Sequence, residues 1–178
     1  MPGTIPDDVP SLSLAALFPE AAKVAAALRQ ARLSVAVAES CTGGLLGAVL
    51  TALPGASDYM RGGVIAYADS VKADLLGVSR HQLAEHGAVS EPVALAMAEG
   101  IRQRCHAGIG LSITGVAGPD GGSPGKPVGL IFLAAAGAEG AQVSRLEGDA
   151  GREANRARAV REALRLCLET VLSPPPTG

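Results

Sequence analysis

Two spacings of apolar residues divide the chain. In PEAAKVAAALRQA (19–31), SEPVALAMAEGIRQRC (90–105) and REANRARAVREALRLCLETVL (152–172) they recur at intervals of three and four. That period predicts helices with one buried face. Between them lie short apolar runs: LSVAVAES (33–40), GGVIAYA (62–68), AGIGLSIT (107–114), VGLIFLAAA (128–136) and AQVSRLEG (141–148). Runs of this length predict strands, and nearly unbroken ones predict strands covered on both faces. Three shorter helices are expected: GGLLGAVLTAL (43–53), ended by Pro54-Gly55; DSVKADLLG (69–77), stopped by Gly77; and SRHQLAEHG (79–87), with Ser79 and Gln82 in capping-box spacing. Pro19 and Pro92 fall in first turns, where a missing N–H costs nothing, and Ser90 is the expected N-cap of the helix that follows it.

Strands alternate with helices in the first half of the chain and adjoin one another in the second. The expected fold is therefore α/β: a single-domain three-layer α/β/α sandwich with a mixed β-sheet. The domain is expected over residues 13–172, between a flexible N-terminus (1–12) and a flexible tail (173–178) in which proline blocks helix and ladder alike.

Composition sharpens this picture. At 178 residues, 48% hydrophobic but only 2% aromatic, the core has to be built from small aliphatic layers. A formal net charge of −2 gives no global basic field, so nucleic acid is not an expected partner. Cys41, Cys105 and Cys167 form neither a metal pattern nor a disulfide framework, and no metal site is expected. The acidic, proline-rich start has no apolar signal region, and no apolar run reaches the roughly 20 residues of a membrane span. A cytoplasmic protein with no membrane partner is the expectation.

The stretch AESCTGG (38–44) places Ser40, Cys41 and Thr42 where a strand gives way to a helix at Gly43-Gly44. A hydroxyl there can attack a carbonyl while helix-terminal N–H groups stabilise the oxyanion. It can equally be a plain N-cap, with the glycines serving close packing. Cys41 reads as a small buried hydrophobe. A nucleophilic serine needs a base, yet His81, His86 and His106 fall on helix surfaces. Tyr67, at the expected end of the second strand, and Lys72, in the next helical turn, are the alternatives. A desolvated lysine can act as a general base, although each of these residues is also unremarkable as a strand-end aromatic or a solvated lysine. The loop TGVAGPDGGSPGKP (114–127) is either a set of turns or an anion cradle, and it is not a Walker A loop. Five arginines (152, 156, 158, 161, 165) on the closing helix read as a solvated face or a nucleic-acid footprint, with Arg152 near enough to the helix start to contact a bound anion.

Taken together, AESCTGG, GGVIAYADSVKADLLGV, HGAVSEPVALAMAEG, SITGVAGPDGG and KPVGLIFLA resemble the C-terminal domain of the competence/damage-inducible CinA proteins, which also occurs as free-standing nicotinamide-nucleotide amidases. The resemblance runs from about residue 20 to 172. It implies metal- and cofactor-free hydrolysis of the carboxamide of nicotinamide mononucleotide to nicotinic acid mononucleotide and ammonia, in pyridine nucleotide recycling. It further implies Ser40 as nucleophile, Lys72 as base and Tyr67 as relay or proton donor. Thr42, Gly43, Gly44, Thr114, Gly115, Gly118, Gly121, Gly122 and Arg152 would bind substrate, and the chain would form a homo-oligomer. A catalytically weak or inactive nucleotide-binding module of the same fold is the alternative. The chain departs from the family's Gly-Asp-Arg run by two residues, between Asp149 and Arg152, and is expected to lack the molybdopterin-binding-like domain of two-domain CinA proteins. Short-chain dehydrogenases also use a Ser/Tyr/Lys trio, but no dinucleotide fingerprint is present here.

Overall fold

The computed structural model describes residues 13–173; the expected N-terminal segment 1–12 and all of the tail beyond Ser173 lie outside the described residues. The elements in chain order are α1 (Leu14–Leu17), α2 (Glu20–Ala31), β1 (Val35–Glu39), α3 (Leu45–Thr51), a 3₁₀ turn (Ala56–Asp58), β2 (Met60–Ile65), α4 (Asp69–Leu76), α5 (Arg80–His86), α6 (Glu91–Arg104), β3 (Ile109–Gly115), β4 (Ile131–Gly137), β5 (Gly140–Leu146) and α7 (Arg152–Leu172). The five strands form one sheet in the order β2-β1-β3-β4-β5. β1 pairs parallel with β2 and β3, while β4 runs antiparallel to both β3 and β5. The mixed sheet was legible in the change from alternating to adjoining elements.

Side chains alternate across the sheet, and the two faces differ in size. Val35, Val37, Ile109, Leu111, Ile113, Ile131 and Leu133 share one core with Leu28 of α2, Leu46 and Leu50 of α3, and Val160 and Leu164 of α7. Each such residue, fully buried, contributes about 1.5–3 kcal/mol relative to an exposed one. The opposite face carries Ala36, Ala38, Ala134 and Ala136, against Met97, Ile101, Ala94 and Ala98 of α6. Small residues let α6 approach the strands closely. A Cβ on Gly110 would lie 2.0 Å from the Ala98 carbonyl oxygen, so nothing larger than glycine fits there. These are the three layers expected, with α2, α3 and α7 on one side and α4, α5 and α6 on the other.

Boundaries moved where local signals met tertiary ones. α1 was not expected: four residues are too short for periodicity to show, and Ser13 caps it by accepting from the Ala16 N–H. β2 stops at Ile65, so Tyr67 lies beyond the strand. Ser90 sits at the N-cap of α6, but its hydroxyl donates to the Gly87 carbonyl (2.8 Å) instead of capping the helix. Ser79 does cap α5, through the His81 N–H.

The closing helix is fastened by its arginines. Arg158 donates to the Gly148 (2.8 Å) and Glu147 (3.0 Å) carbonyls, and Arg161 donates to the Leu17 carbonyl (3.1 Å). Arg165 grips Glu162, whose carboxylate also accepts from Ser144 of β5. The expected solvated face is therefore largely a set of ties to neighbouring segments. Arg165, then Ser144, hold the Glu162 carboxyl below its ordinary value of 4.5. The stabilisation from that ionised group is complete above the ordinary value and is lost as pH falls through the lower folded one. Thermal melts should therefore show a midpoint that drops as pH is taken from 6 to 3. Glu162→Gln should start about 2–4 °C lower and lose less on acidification, since about 1 kcal/mol moves a chain of this length by that much. Parallel acid profiles for the two proteins would contradict this assignment.

Candidate active site

β1, β2, β3 and β5 run in the same direction, so their C-terminal ends share one edge of the sheet, where α/β proteins gather ligands. The segments singled out from sequence all emerge there: Ser40 after β1, Tyr67 after β2, the loop after Gly115 of β3, and Arg152 after β5.

The turn after β1 is held from both sides. The Ser40 N–H donates to the Ile113 carbonyl (2.9 Å), and the Ser40 carbonyl accepts from the Gly43 N–H (3.0 Å). Gly43 and Gly44 take φ +60 and +96, which side-chain-bearing residues rarely adopt. The expectation that α3's open amides face a ligand needs correction. Glu39, 1% exposed, accepts from the N–H groups of Gly44 (3.1 Å), Leu46 (3.1 Å) and Gly47 (2.8 Å) and so fills that helix terminus itself. Neither Ser40 nor Thr42 caps α3, whose N-cap is Gly44. The cap alternative is thereby removed. Among the described residues the Ser40 hydroxyl is committed to no hydrogen bond, and in the stretch from Ser40 to Gly47 the main-chain N–H groups with neither a main-chain nor a side-chain acceptor are those of Cys41 and Thr42. Gly43 and Gly44 therefore shape the turn, while the amides open to a ligand come just before them.

Lys72 projects from α4 and is 1% exposed. Its ammonium donates to the Tyr67 carbonyl (3.2 Å) and to the Asp69 carboxylate (3.2 Å). Ala66 still pairs with β1, donating to the Glu39 carbonyl (2.7 Å). The carbonyl that holds the ammonium is thus one residue past the last ladder contact, beside the point where β1 continues into Ser40. Tyr67 is 60% exposed and lies close enough to Arg152 that its hydroxyl, first among the causes, raises the Arg152 pKa above the ordinary arginine value.

Arg152 also donates to the Gly118 carbonyl (2.7 Å). The two extra residues between Asp149 and Arg152 are folded into a turn. Buried Asn155 accepts from the Ala150 N–H (3.0 Å) and donates to Asp149 (2.8 Å) and to the Ala117 carbonyl (3.1 Å). The Gly151 N–H, then Asn155, hold the Asp149 carboxyl below its ordinary value. Arg152 therefore reaches the site edge despite the departure.

The remaining expected ligands divide. Thr114 is 1% exposed and its hydroxyl is spent on the Ala88 carbonyl (2.8 Å), so it ties β3 to the start of α6's approach and offers no free donor. Gly115 permits close pairing, since a Cβ would lie 2.6 Å from Ile131 Cγ1. Gly118 presents its carbonyl to Arg152, while Gly121 and Gly122 lie in the exposed part of the loop. There Ser123 and Lys126 exchange both main-chain hydrogen bonds (2.9 Å each), the geometry of a turn. The Cys41 thiol is 6% exposed and burial pushes it up to about 11, which removes it as a thiolate nucleophile near neutral pH.

Two site residues escaped the sequence reading. Glu39 carried a signal: one carboxylate at the end of the otherwise apolar VAVAE. Arg156 stands one turn after Arg152 and donates to the Thr42 carbonyl (3.0 Å). Its signal was the i, i+4 pair at the start of α7, hidden within the longer arginine run. Both guanidiniums lie close enough to Cys41 to lower its thiol pKa, against the larger effects of burial and of the Glu39 carboxylate, so the turn after Ser40 lies between one anion and two cations. Cavities of about 570 and 620 Å³ lie at the opposite edge, around the β4–β5 hairpin, and contain none of these residues. A third, about 230 Å³, lies between α3 and β2 with Glu39 in its wall. Among the described residues no cluster of three or more His, Cys, Asp or Glu is placed to hold a metal, and no helix is long and apolar enough to cross a membrane.

Residues 18–171 match the family described as the CinA C-terminal domain. A CinA-like protein of Synechococcus sp. (strain CC9902) is 55% identical over 146 residues, 81% of this chain and 35% of that protein. One of Gemmatimonas aurantiaca is 65% identical over 102 residues, 57% of this chain and 24% of that protein. The chain thus spans 24% to 35% of the length of these curated relatives. Among solved structures, the competence/damage inducible protein CihA from Agrobacterium tumefaciens superposes with a TM-score of 0.86 at 38% identity, covering 92% of this chain and 99% of its own. A CinA superfamily protein from Escherichia coli superposes with a TM-score of 0.83 at 30% identity, covering 94% and 99%.

Proposed function

The chain belongs to the CinA C-terminal domain family, and from that premise we propose that it hydrolyses the carboxamide of nicotinamide mononucleotide, without metal or organic cofactor, at a Ser40–Lys72–Tyr67 site. One observation carries the reading: an uncommitted serine hydroxyl stands beside two free amides, at the edge where a buried lysine ammonium is held.

In this mechanism Lys72 takes the proton as Ser40 Oγ attacks the amide carbon. The N–H groups of Cys41 and Thr42 receive the oxygen that becomes negative, with the Arg156 guanidinium on the Thr42 carbonyl behind them. Lys72 returns the proton through the Tyr67 hydroxyl to the departing nitrogen, which leaves as ammonia. Water then attacks the acyl-serine ester and Lys72 takes its proton; the Ser40 Oγ–acyl bond breaks, Lys72 returns the proton to Ser40 Oγ, and nicotinic acid mononucleotide is released. Positioning, a nucleophile and oxyanion donors supply what amide hydrolysis requires.

Arg152 pairs with no carboxylate within ion-pair distance among the described residues, and its guanidinium suits the 5′-phosphate. Nicotinamide mononucleotide should therefore be preferred to nicotinamide riboside, which lacks the phosphate. Arg152→Ala should raise KM for the nucleotide about 10- to 100-fold, the worth of a charge-assisted hydrogen bond, and leave the riboside nearly unchanged. Steady-state kinetics on both amides checks this. Equal losses on both would remove Arg152 from the phosphate, and failure of the wild type to hydrolyse either amide while still binding the nucleotide would favour a binding module.

A further inference from the structure

Among the described residues Arg156 is the one charged side chain that reaches the backbone of the turn after Ser40 from across the chain, and nothing in the mechanism above needs it as a substrate ligand. Its Nη2 donates to the Thr42 carbonyl (3.0 Å), a contact spanning 114 residues of sequence. Nη1 meets the Glu153 carboxylate at 3.1 Å, but Glu153 is 80% exposed, so that pair by itself contributes little. The Arg156 side chain is 23% exposed, and its Nε is buried without a partner. The Thr42 hydroxyl beneath it is likewise buried and unpartnered, in a residue that is 0% exposed. Leaving two polar atoms unsatisfied costs stability. A guanidinium kept at that cost on one carbonyl is better explained by the geometry of the turn than by stability.

We propose that Arg156 is a positioning residue: by gripping the Thr42 carbonyl it fixes the turn so that the Cys41 and Thr42 N–H groups point at the oxygen that becomes negative when Ser40 attacks. The turn has other fasteners: the Ser40 N–H on the Ile113 carbonyl, Glu39 on its α3 side, the Gly43–Ser40 hydrogen bond, and the Leu45 N–H on the Thr42 carbonyl (3.3 Å). Arg156 shares the Thr42 carbonyl with Leu45 through the shorter contact (3.0 Å), ties the turn to α7 and adds positive charge near the oxyanion. The inference rests on the amidase reading for its chemistry, but it concerns how the nucleophile turn is held and not which amide is cleaved.

The test uses a fluorophosphonate, which needs the serine and its oxyanion donors but no carboxamide. Ser40 Oγ bonds to phosphorus, the phosphorus–fluorine bond breaks, fluoride leaves and the hydroxyl proton passes to the base, while the phosphoryl oxygen occupies the oxyanion position. In Arg156→Met the rate of Ser40 labelling should fall about tenfold or more, as for removal of an oxyanion donor, with the thermal midpoint held within a few degrees. Millimolar guanidinium should restore part of the rate, because it can re-enter the vacated place. For nicotinamide mononucleotide, kcat should fall with KM nearly unchanged. Arg156→Lys, which keeps the charge without the planar fork, serves if the methionine variant does not fold, and should also label slowly. Labelling within twofold of wild type in the folded variants overturns the proposal, as does a raised KM with kcat intact, which would make Arg156 a substrate ligand. Absence of labelling at wild-type Ser40 defeats the amidase reading and this inference with it; normal wild-type labelling with an unaffected variant defeats this inference alone.

Discussion

Lys72→Met should lower turnover by about 10²–10⁴-fold, the range of a positioned general base, while leaving the protein folded. Lys72 is among the largest fully buried side chains of the molecule, at 1% exposure, and one of its two acceptors, Asp69, is 59% exposed. Methionine fills a similar volume without a charge to desolvate, and Asp69 stays hydrated after the ammonium is gone. In the proposed mechanism, what is lost is the group that moves protons at the end of β1. A midpoint within a few degrees of wild type, together with the collapse of kcat, is the expected pair of results. A stable variant that keeps its turnover would take Lys72 out of the chemistry, and a variant that loses activity only by unfolding would make it a structural cation.

Ser40→Ala should cost more, about 10⁴-fold or beyond in kcat, because removal of the nucleophile leaves only binding and oxyanion stabilisation. The substitution deletes a hydroxyl that makes no hydrogen bond among the described residues and leaves its main-chain contacts to Ile113 and Gly43 in place. Stability should consequently change by no more than about 0.5 kcal/mol. Cys41 offers no substitute, since burial drives its thiol up to about 11 and leaves almost no thiolate near pH 7. Alkylating reagents should therefore leave the activity intact, and inactivation by them would shift the nucleophile from Ser40 to Cys41.

How far the molecule could be read in advance depended on whether a property was local. Strands such as VAVAE and IGLSITG are short apolar runs bounded by helix and turn signals, and the order in which they alternate or adjoin was enough for the layers and the mixed sheet. Ser40, Tyr67 and Lys72 were singled out from strand ends, where α/β chains expose chemistry, and from the family resemblance, and the fold brings their segments to one edge of the sheet. The helix-cap reading of Ser40 and Thr42 failed because local rules see only residues next to the helix. A carboxylate from the preceding strand reaches the same amides with stronger hydrogen bonds and outcompetes a hydroxyl for them. The use of the Thr114 hydroxyl was hidden for a related reason: its partner, the Ala88 carbonyl, is 26 residues away. Arg156 was submerged in a run of arginines, and only the meeting of α7 with the turn after β1 distinguishes it from its neighbours. Arg152, by contrast, seemed displaced by two residues, yet the Asp149–Asn155 turn absorbs them.

Ammonia release from nicotinamide mononucleotide, measured without added metal for wild type and Ser40→Ala side by side, tests the central claim most directly. The account predicts sustained release with equimolar nicotinic acid mononucleotide from the wild type and none above background from the variant. Release that persists undiminished in Ser40→Ala, or a wild type that binds the nucleotide and leaves its amide intact, would contradict it.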